Sequence, residues 1–186
     1  MSANSSKQRL ACGLAFFFAS VPASAGSSGA TLGASTTVNS NCTISATAVS
    51  FGNYDPIGTN KTNPLNNGNA QLSVACVQGS GSPPATPKIT VGLDLGLNAS
   101  GSTRQMKNTT SANYLAYELY QPPSNAPATP CTFPGSVVWN TGAGLFTLTS
   151  PPTKSSRAYF ICATVPAGKD PLIGTYTDTV TATVNF

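Results

Sequence analysis

The sequence predicts an all-β sandwich, on three observations. Short segments alternate apolar and polar residues with the period of a strand, and turn-forming stretches rich in Gly, Pro, Asn and Ser separate them. No run of ten or more residues carries a helical apolar stripe free of Gly or Pro. The clearest alternation lies in Gly174–Phe186, GTYTDTVTATVNF. There Tyr176, Val180, Ala182, Val184 and Phe186 share one face with a single polar intruder, Asp178, while threonines and Asn185 fill the other. A strand buried on one face needs a neighbour on each edge or a device that blunts the open one. The sequence offers no later strand to pair with this one, so an open edge is expected.

The other strands follow in order. In CTISATAV, Cys42, Ile44, Ala46 and Ala48 share a face, and in NAQLSVAC so do Ala70, Leu72, Val74 and Cys76. KITVGLDLG places Ile89, Val91, Leu93 and Leu95 together, and NYLAYELY places Leu115, Tyr117 and Leu119 together. The proline density of QPPSNAPATPCTFPG excludes regular structure there, and the strand AYFICATV follows it. GNYDPIGTNKTNPLNNGN, QGSGSPPATP and AGKDPLIG read as turns. Short strands joined by such turns suit a sandwich.

The N-terminus reads as a cleaved secretory signal over residues 1–25. Lys7 and Arg9 precede the apolar run Leu10–Val21, then come Pro22 and the small residues Ala23-Ser24-Ala25. A lipoprotein reading of Cys12 fits less well, because Arg9 stands where an aliphatic residue is needed and the apolar run follows the cysteine. The run is too short for a stable membrane span. Cleavage after Ala25 leaves 186 − 25 = 161 residues, with 7 basic and 5 acidic side chains and a net charge of +2. No basic patch for nucleic acid is visible.

The signal takes Cys12 with it and leaves Cys42, Cys76, Cys131 and Cys162, at separations of 34, 55 and 31. In an exported chain four cysteines imply two disulfides, with three connectivities open in principle. Cys42 and Cys76 both lie in the inward phase of their strands, so they can bridge without a register change. A Cys131–Cys162 bridge then follows by elimination and ties down the proline-rich loop. Zinc is disfavoured by the spacing and by the absence of histidine.

Catalysis has little to work with. Without histidine, Ser-His and Cys-His nucleophile pairs are excluded. Asp55, Asp94, Glu118, Asp170 and Asp178 are isolated in sequence, and no Gly-rich loop opens a helix. The chain is read as a non-enzyme without cofactor or metal. Asn41, Asn60, Asn98 and Asn108 head N-glycosylation sequons, although a chain so rich in Asn, Ser and Thr produces these by chance. Trp139 and the tyrosines are either a sugar-binding platform or core packing, the latter being favoured.

The run NCTISATAVSFGNYDP, followed by LSVAC, LAYELY, VPAG and GTYTDTVTATVNF, resembles the spore coat protein U domain family, which supplies pilins of archaic, Csu-type chaperone-usher pili. The resemblance covers Asn41–Phe186 and is strongest at its two ends. Cys162-Ala163 before VPAG and the loop around Cys131 depart from the family pattern.

The resemblance implies an incomplete immunoglobulin-like sandwich lacking its last strand. A periplasmic chaperone lends that strand during folding, and the N-terminal extension of another pilin subunit replaces it during head-to-tail assembly at an outer-membrane usher. Placed on this chain, residues 26–40 form the donor extension and 41–186 the pilin domain. Ala30, Leu32, Ala34, Thr36 and Val38 form the donor face, which is poor in large aliphatics and so buries little apolar area. The acceptor groove lies between Ile44, Ala46 and Ala48 on one side and Tyr176, Val180, Ala182, Val184 and Phe186 on the other. The expected function is a structural pilin, exported through the periplasm to a surface pilus for attachment and biofilm formation. A secreted carbohydrate-binding adhesin and a coat protein of a resting cell are the alternatives.

Overall fold

The structure is a computed structural model that describes residues 31–77, 88–148 and 154–186. The expected signal and Ala30 lie outside these residues. The compact unit is Val38–Phe186.

Among the described residues nine strands build it: β1 Cys42–Ala46, β2 Leu65–Cys76, β3 Thr90–Leu93, β4 Arg104–Asn108, β5 Tyr114–Tyr120, β6 Phe146–Thr147, β7 Arg157–Val165, β8 Tyr176–Thr177 and β9 Ala182–Asn185. They form a six-stranded sheet in the order β1-β2-β7-β5-β4-β8 and a three-stranded sheet in the order β6-β3-β9. Every pairing is antiparallel. One turn of 3-10 helix, Thr59–Lys61, is the single helical element among the described residues. The expected all-β sandwich is what forms.

Alternation places the core. Leu72, Val74, Leu115, Leu119, Tyr159, Ile161 and Val165 from the larger sheet meet Val91, Leu93 and Phe146 from the smaller one. Trp139 is fully buried, its indole N–H donates to the Val91 carbonyl at 2.9 Å, and its ring packs 4.9 Å from Phe146. It therefore belongs to the core and is no part of a sugar platform.

Both disulfides form as read, Cys42–Cys76 and Cys131–Cys162. Cys42 and Cys76 are direct partners in the β1–β2 register. Cys162 lies out of phase with the core positions Tyr159, Ile161, Ala163 and Val165, yet it is fully buried. The cause is the proline-rich loop, which Cys131 holds against the outer face of the larger sheet. Gly68, at an irregularity in the β2–β7 pairing, makes room for it, since a Cβ there would come within 2.9 Å of the Cys131 Cβ. Gly135 allows a similar approach to the Tyr120 ring.

Two strands escape the period-two reading. β4 carries Arg104 and Asn108, both buried, and β6 spans only two residues. Arg104 pairs with Glu118 and donates to the carbonyls of Leu93 at 3.2 Å, Asp94 at 2.7 Å and Trp139 at 2.6 Å. A buried guanidinium persists because its donors are met in this way. Two of the sequon asparagines are structural as well. Asn60 accepts from the Asp55 N–H and donates to the Asn63 carbonyl, while Asn108 accepts from Thr110 and donates to the Ile173 carbonyl.

The terminal segment is not the single strand expected from its alternation. It breaks into β8 and β9, joining the larger sheet through β4 and the smaller one through β3. The break centres on Asp178, whose carboxylate accepts from the Tyr117 hydroxyl at 2.7 Å and from the Asn98 backbone and side-chain N–H groups at 3.1 and 2.9 Å. Three hydrogen bonds from within the molecule thereby hold the polar intruder in place.

Candidate functional site

The terminal segment is hydrogen-bonded along one edge only. Thr175, Thr179 and Thr181 offer their carbonyls to the N–H groups of Thr109, Leu97 and Asp94, and Lys107–Asn108 and Thr90–Leu93 pair with the rest. In an extended chain successive backbone groups point to alternate sides, so the N–H and C=O of Val180 and Ala182 face the other way. Opposite them stands β1, whose one sheet neighbour is β2. Two edge strands, one from each sheet, thus confront each other without hydrogen bonds between them among the described residues.

β1 and β9 come within 8 Å between Cα atoms. They are not paired with each other, and they stand closer than the roughly 9.5 Å that two interstrand spacings need for an inserted strand. Beyond them the walls part around a cavity of about 440 Å³, lined by Ala46, Thr47, Ala48 and Val49 on the β1 side and by Tyr176–Val180 and Ala182 on the terminal side. Its floor is core: Leu72, Leu93, Met106, Leu119 and Ile161. A second cavity of about 690 Å³ continues past Leu65, Leu115 and Val165 to Leu172 and Ile173, sharing Val49, Phe51, Met106 and Tyr176 with the first. Together they make a long trough, mainly apolar in its first part and mixed in its second, that opens the core between the two free edges.

Most residues expected in an acceptor groove come together here. Ile44, Tyr176, Val180, Ala182 and Val184 are half-buried against the core, and Ala46 and Ala48 line the cavity from an exposed position. Ile44 and Val184 line neither cavity, and neither does Phe186, which is 44 % exposed. Ala48 lies past the end of β1, although the Thr47 N–H still reaches the Gln71 carbonyl at 2.9 Å. Residues 31–40 form no strand, and Leu32 and Val38 are exposed. Sequence reasoning missed the floor residues Met106 and Phe51 and the polar pair Tyr117–Asp178. Met106 sits in the unread strand β4, whereas Phe51 packs edge-on against Tyr117 at 6.1 Å from a segment without regular structure.

The electrostatics of the site suit binding and give nothing for proton transfer at neutral pH. Burial, followed by the hydrogen bond to Asp178, pushes the Tyr117 hydroxyl far above its ordinary value, so it remains a donor. Burial is the largest single influence on Asp94 and pushes its carboxyl up, but the hydrogen bonds from Thr181 and Gly96 and the Arg104 charge together outweigh it, so the carboxyl lies below the ordinary range. Its Oδ1 accepts from both N–H groups at 2.9 Å and pins the terminal segment to the end of β3.

Comparison with known proteins agrees with the all-β fold. The chain is 33 % identical over 177 residues to Protein U of Myxococcus xanthus, covering 89 % of this chain and 88 % of that one. Among solved structures it resembles a chain of the CsuC–CsuE chaperone–tip adhesion subunit pre-assembly complex from the archaic chaperone-usher Csu pili of Acinetobacter baumannii. The TM-score is 0.53 at 22 % identity, over 81 % of this chain and 41 % of that one. The chain thus spans about two fifths of that neighbour, and the likeness is one of fold. The Spore Coat Protein U domain matches residues 28–183, and its proteins are structural, not enzymatic. The chain belongs to the Spore Coat Protein U domain family.

Proposed function

We propose that this protein is a structural pilin subunit that polymerises by donor-strand complementation. It is exported through the periplasm after loss of residues 1–25, held there by a chaperone strand, and passed at an outer-membrane usher to the growing polymer. The observation that carries this reading is the trough between the free edges of β1 and β9, floored by core residues. A strand laid there would hydrogen-bond to both edges and cover Leu72, Leu93 and Ile161, in the manner of β-augmentation. Residues 26–40 of another copy are the proposed donor, with Leu32, Ala34, Thr36 and Val38 toward the core, and the polymer serves surface attachment and biofilm formation. Because β1 and β9 stand closer than an inserted strand requires, strand entry must open them slightly.

Expression of the exported chain with and without its chaperone tests the proposal. With the chaperone, a soluble complex forms and then assembles; deletion of residues 26–38 stops assembly while leaving chaperone binding intact. A chaperone-independent monomer that still polymerises without those residues overturns it. A coat role for the same polymer is the second reading, favoured by the match to the Spore Coat Protein U domain.

A further inference from the structure

The trough carries a device that sets the register of the incoming strand. This inference rests on the donor-strand reading above. Among the described residues, Asp178 is the one charged side chain lining the 440 Å³ cavity, where aliphatic and aromatic groups form most of the wall. Its Oδ1 accepts two hydrogen bonds from Asn98 and its Oδ2 one from Tyr117. A carboxylate has about four acceptor sites, so among the described residues one lone pair of Oδ2 has no donor. An aliphatic donor residue placed over it would strip water from that site and return no hydrogen bond. The donor face has a single hydroxyl, Thr36, among Ala30, Leu32, Ala34 and Val38.

We infer that Thr36 of one copy lies opposite Asp178 of the next, with the donor antiparallel to the terminal strand. Period two then fixes every other pair: Val38 with Tyr176, Ala34 with Val180, Leu32 with Ala182 and Ala30 with Val184. The sizes alternate in a complementary way, because the one large aliphatic of the donor's first half meets the smallest residue of the acceptor and its alanines meet valines. Small Ala30 also falls where β1 and β9 stand within 8 Å. A parallel donor anchored at the same pair would set Leu32 against Gly174 and leave Val184 facing Cys42 of the donor's own β1. A slip of two residues would put Leu32 against a valine and Thr36 against Tyr176 or Val180.

The register is tested by disulfide capture between copies in polymers of the full mature chain assembled with its chaperone. Three double variants are compared: Leu32→Cys with Ala182→Cys, with Val180→Cys, and with Val184→Cys. Directly opposed positions alone satisfy disulfide geometry, so the Ala182→Cys variant is expected to give a covalent ladder about tenfold stronger than either of the others. A stronger ladder from Val180→Cys or Val184→Cys overturns the register and leaves the donor-strand reading standing. Polymers without a ladder in any variant overturn both. Adding Thr36→Val, outside the compact unit Val38–Phe186, should bring the three ladders toward equal strength; an unchanged preference overturns the role of Asp178.

Discussion

The outer face of the larger sheet and the gap between β1 and β9 meet the same requirement in opposite ways. On the outer face the chain covers itself: the loop held by Cys131–Cys162 buries Cys162, and the N–H groups of Ala128, Gln121 and Trp139 reach the carbonyls of Ala158, Val137 and Leu119. At the gap the molecule leaves two backbone edges and a strip of core open. Hydrophobic burial and strand pairing are therefore finished inside the subunit on one side and left for another chain on the other. Substitutions on the covered side should cost folding, and those on the open side should cost assembly.

The largest contrast is expected from Val184→Lys. Val184 is half-buried on the inner face of β9 beside the free edge. A lysine there can reach water in the free subunit, but an inserted strand would bury its charge without a partner. The variant should fold, as read by circular dichroism, and fail to form polymer in sedimentation. Normal polymerisation would mean that the open side is not the assembly surface.

On the covered side Arg104→Ala comes next. It leaves Glu118 without its cation and the Leu93, Asp94 and Trp139 carbonyls without their shared donor. Leaving buried acceptors without a donor costs about 1–3 kcal/mol, which should appear as a lower midpoint in urea unfolding. The double change Cys131→Ser/Cys162→Ser should lower stability by about 3 kcal/mol, from the loop of 31 residues it reopens. Its effect on polymer formation should follow stability alone. Loss of Cys42–Cys76, whose loop is of similar length at 34 residues, should impair assembly more than its stability cost explains, because it loosens β1, a wall of the trough.

The same contrast accounts for what the sequence revealed. Alternation is a local property, so β1, β3, β5, β7, the second half of β2 and the inward face of the terminal segment could be read directly, as could the phase match of Cys42 with Cys76; the first half of β2, from Leu65, was read as turn because its Asn and Gly residues hide the period. β4 could not, because Arg104 and Asn108 place polar groups inward and are satisfied by carbonyls from other segments. The break at Asp178 was hidden for a related reason: Asn98 and Tyr117, its partners, lie 80 and 61 residues away. The walls of the trough were legible because each is a strand with its own period. Its floor combines residues from β2, β3, β4, β5 and β7, which only the folded topology brings together.

The smallest predicted effect lies where the covered and open sides meet. Asp94 ties the terminal segment to β3 through two backbone N–H groups, and these lower its pKa below the ordinary 3.8 despite the opposing push from burial. A carboxyl whose folded pKa is depressed stabilises the folded state above its unfolded value, and that contribution fades as pH falls through the folded value. Asp94 is largely solvated, so the loss should be local and slight. Below about pH 3.8, amide exchange at Thr181 and Gly96 should quicken while the β5 and β7 amides stay protected. Asp94→Ala should show the same local quickening at neutral pH, with no further change on acidification. If Thr181 exchange in the parent protein is instead flat across this range, the carboxylate does not hold the terminal segment in place, and its free edge is positioned by the β3 and β4 pairings alone.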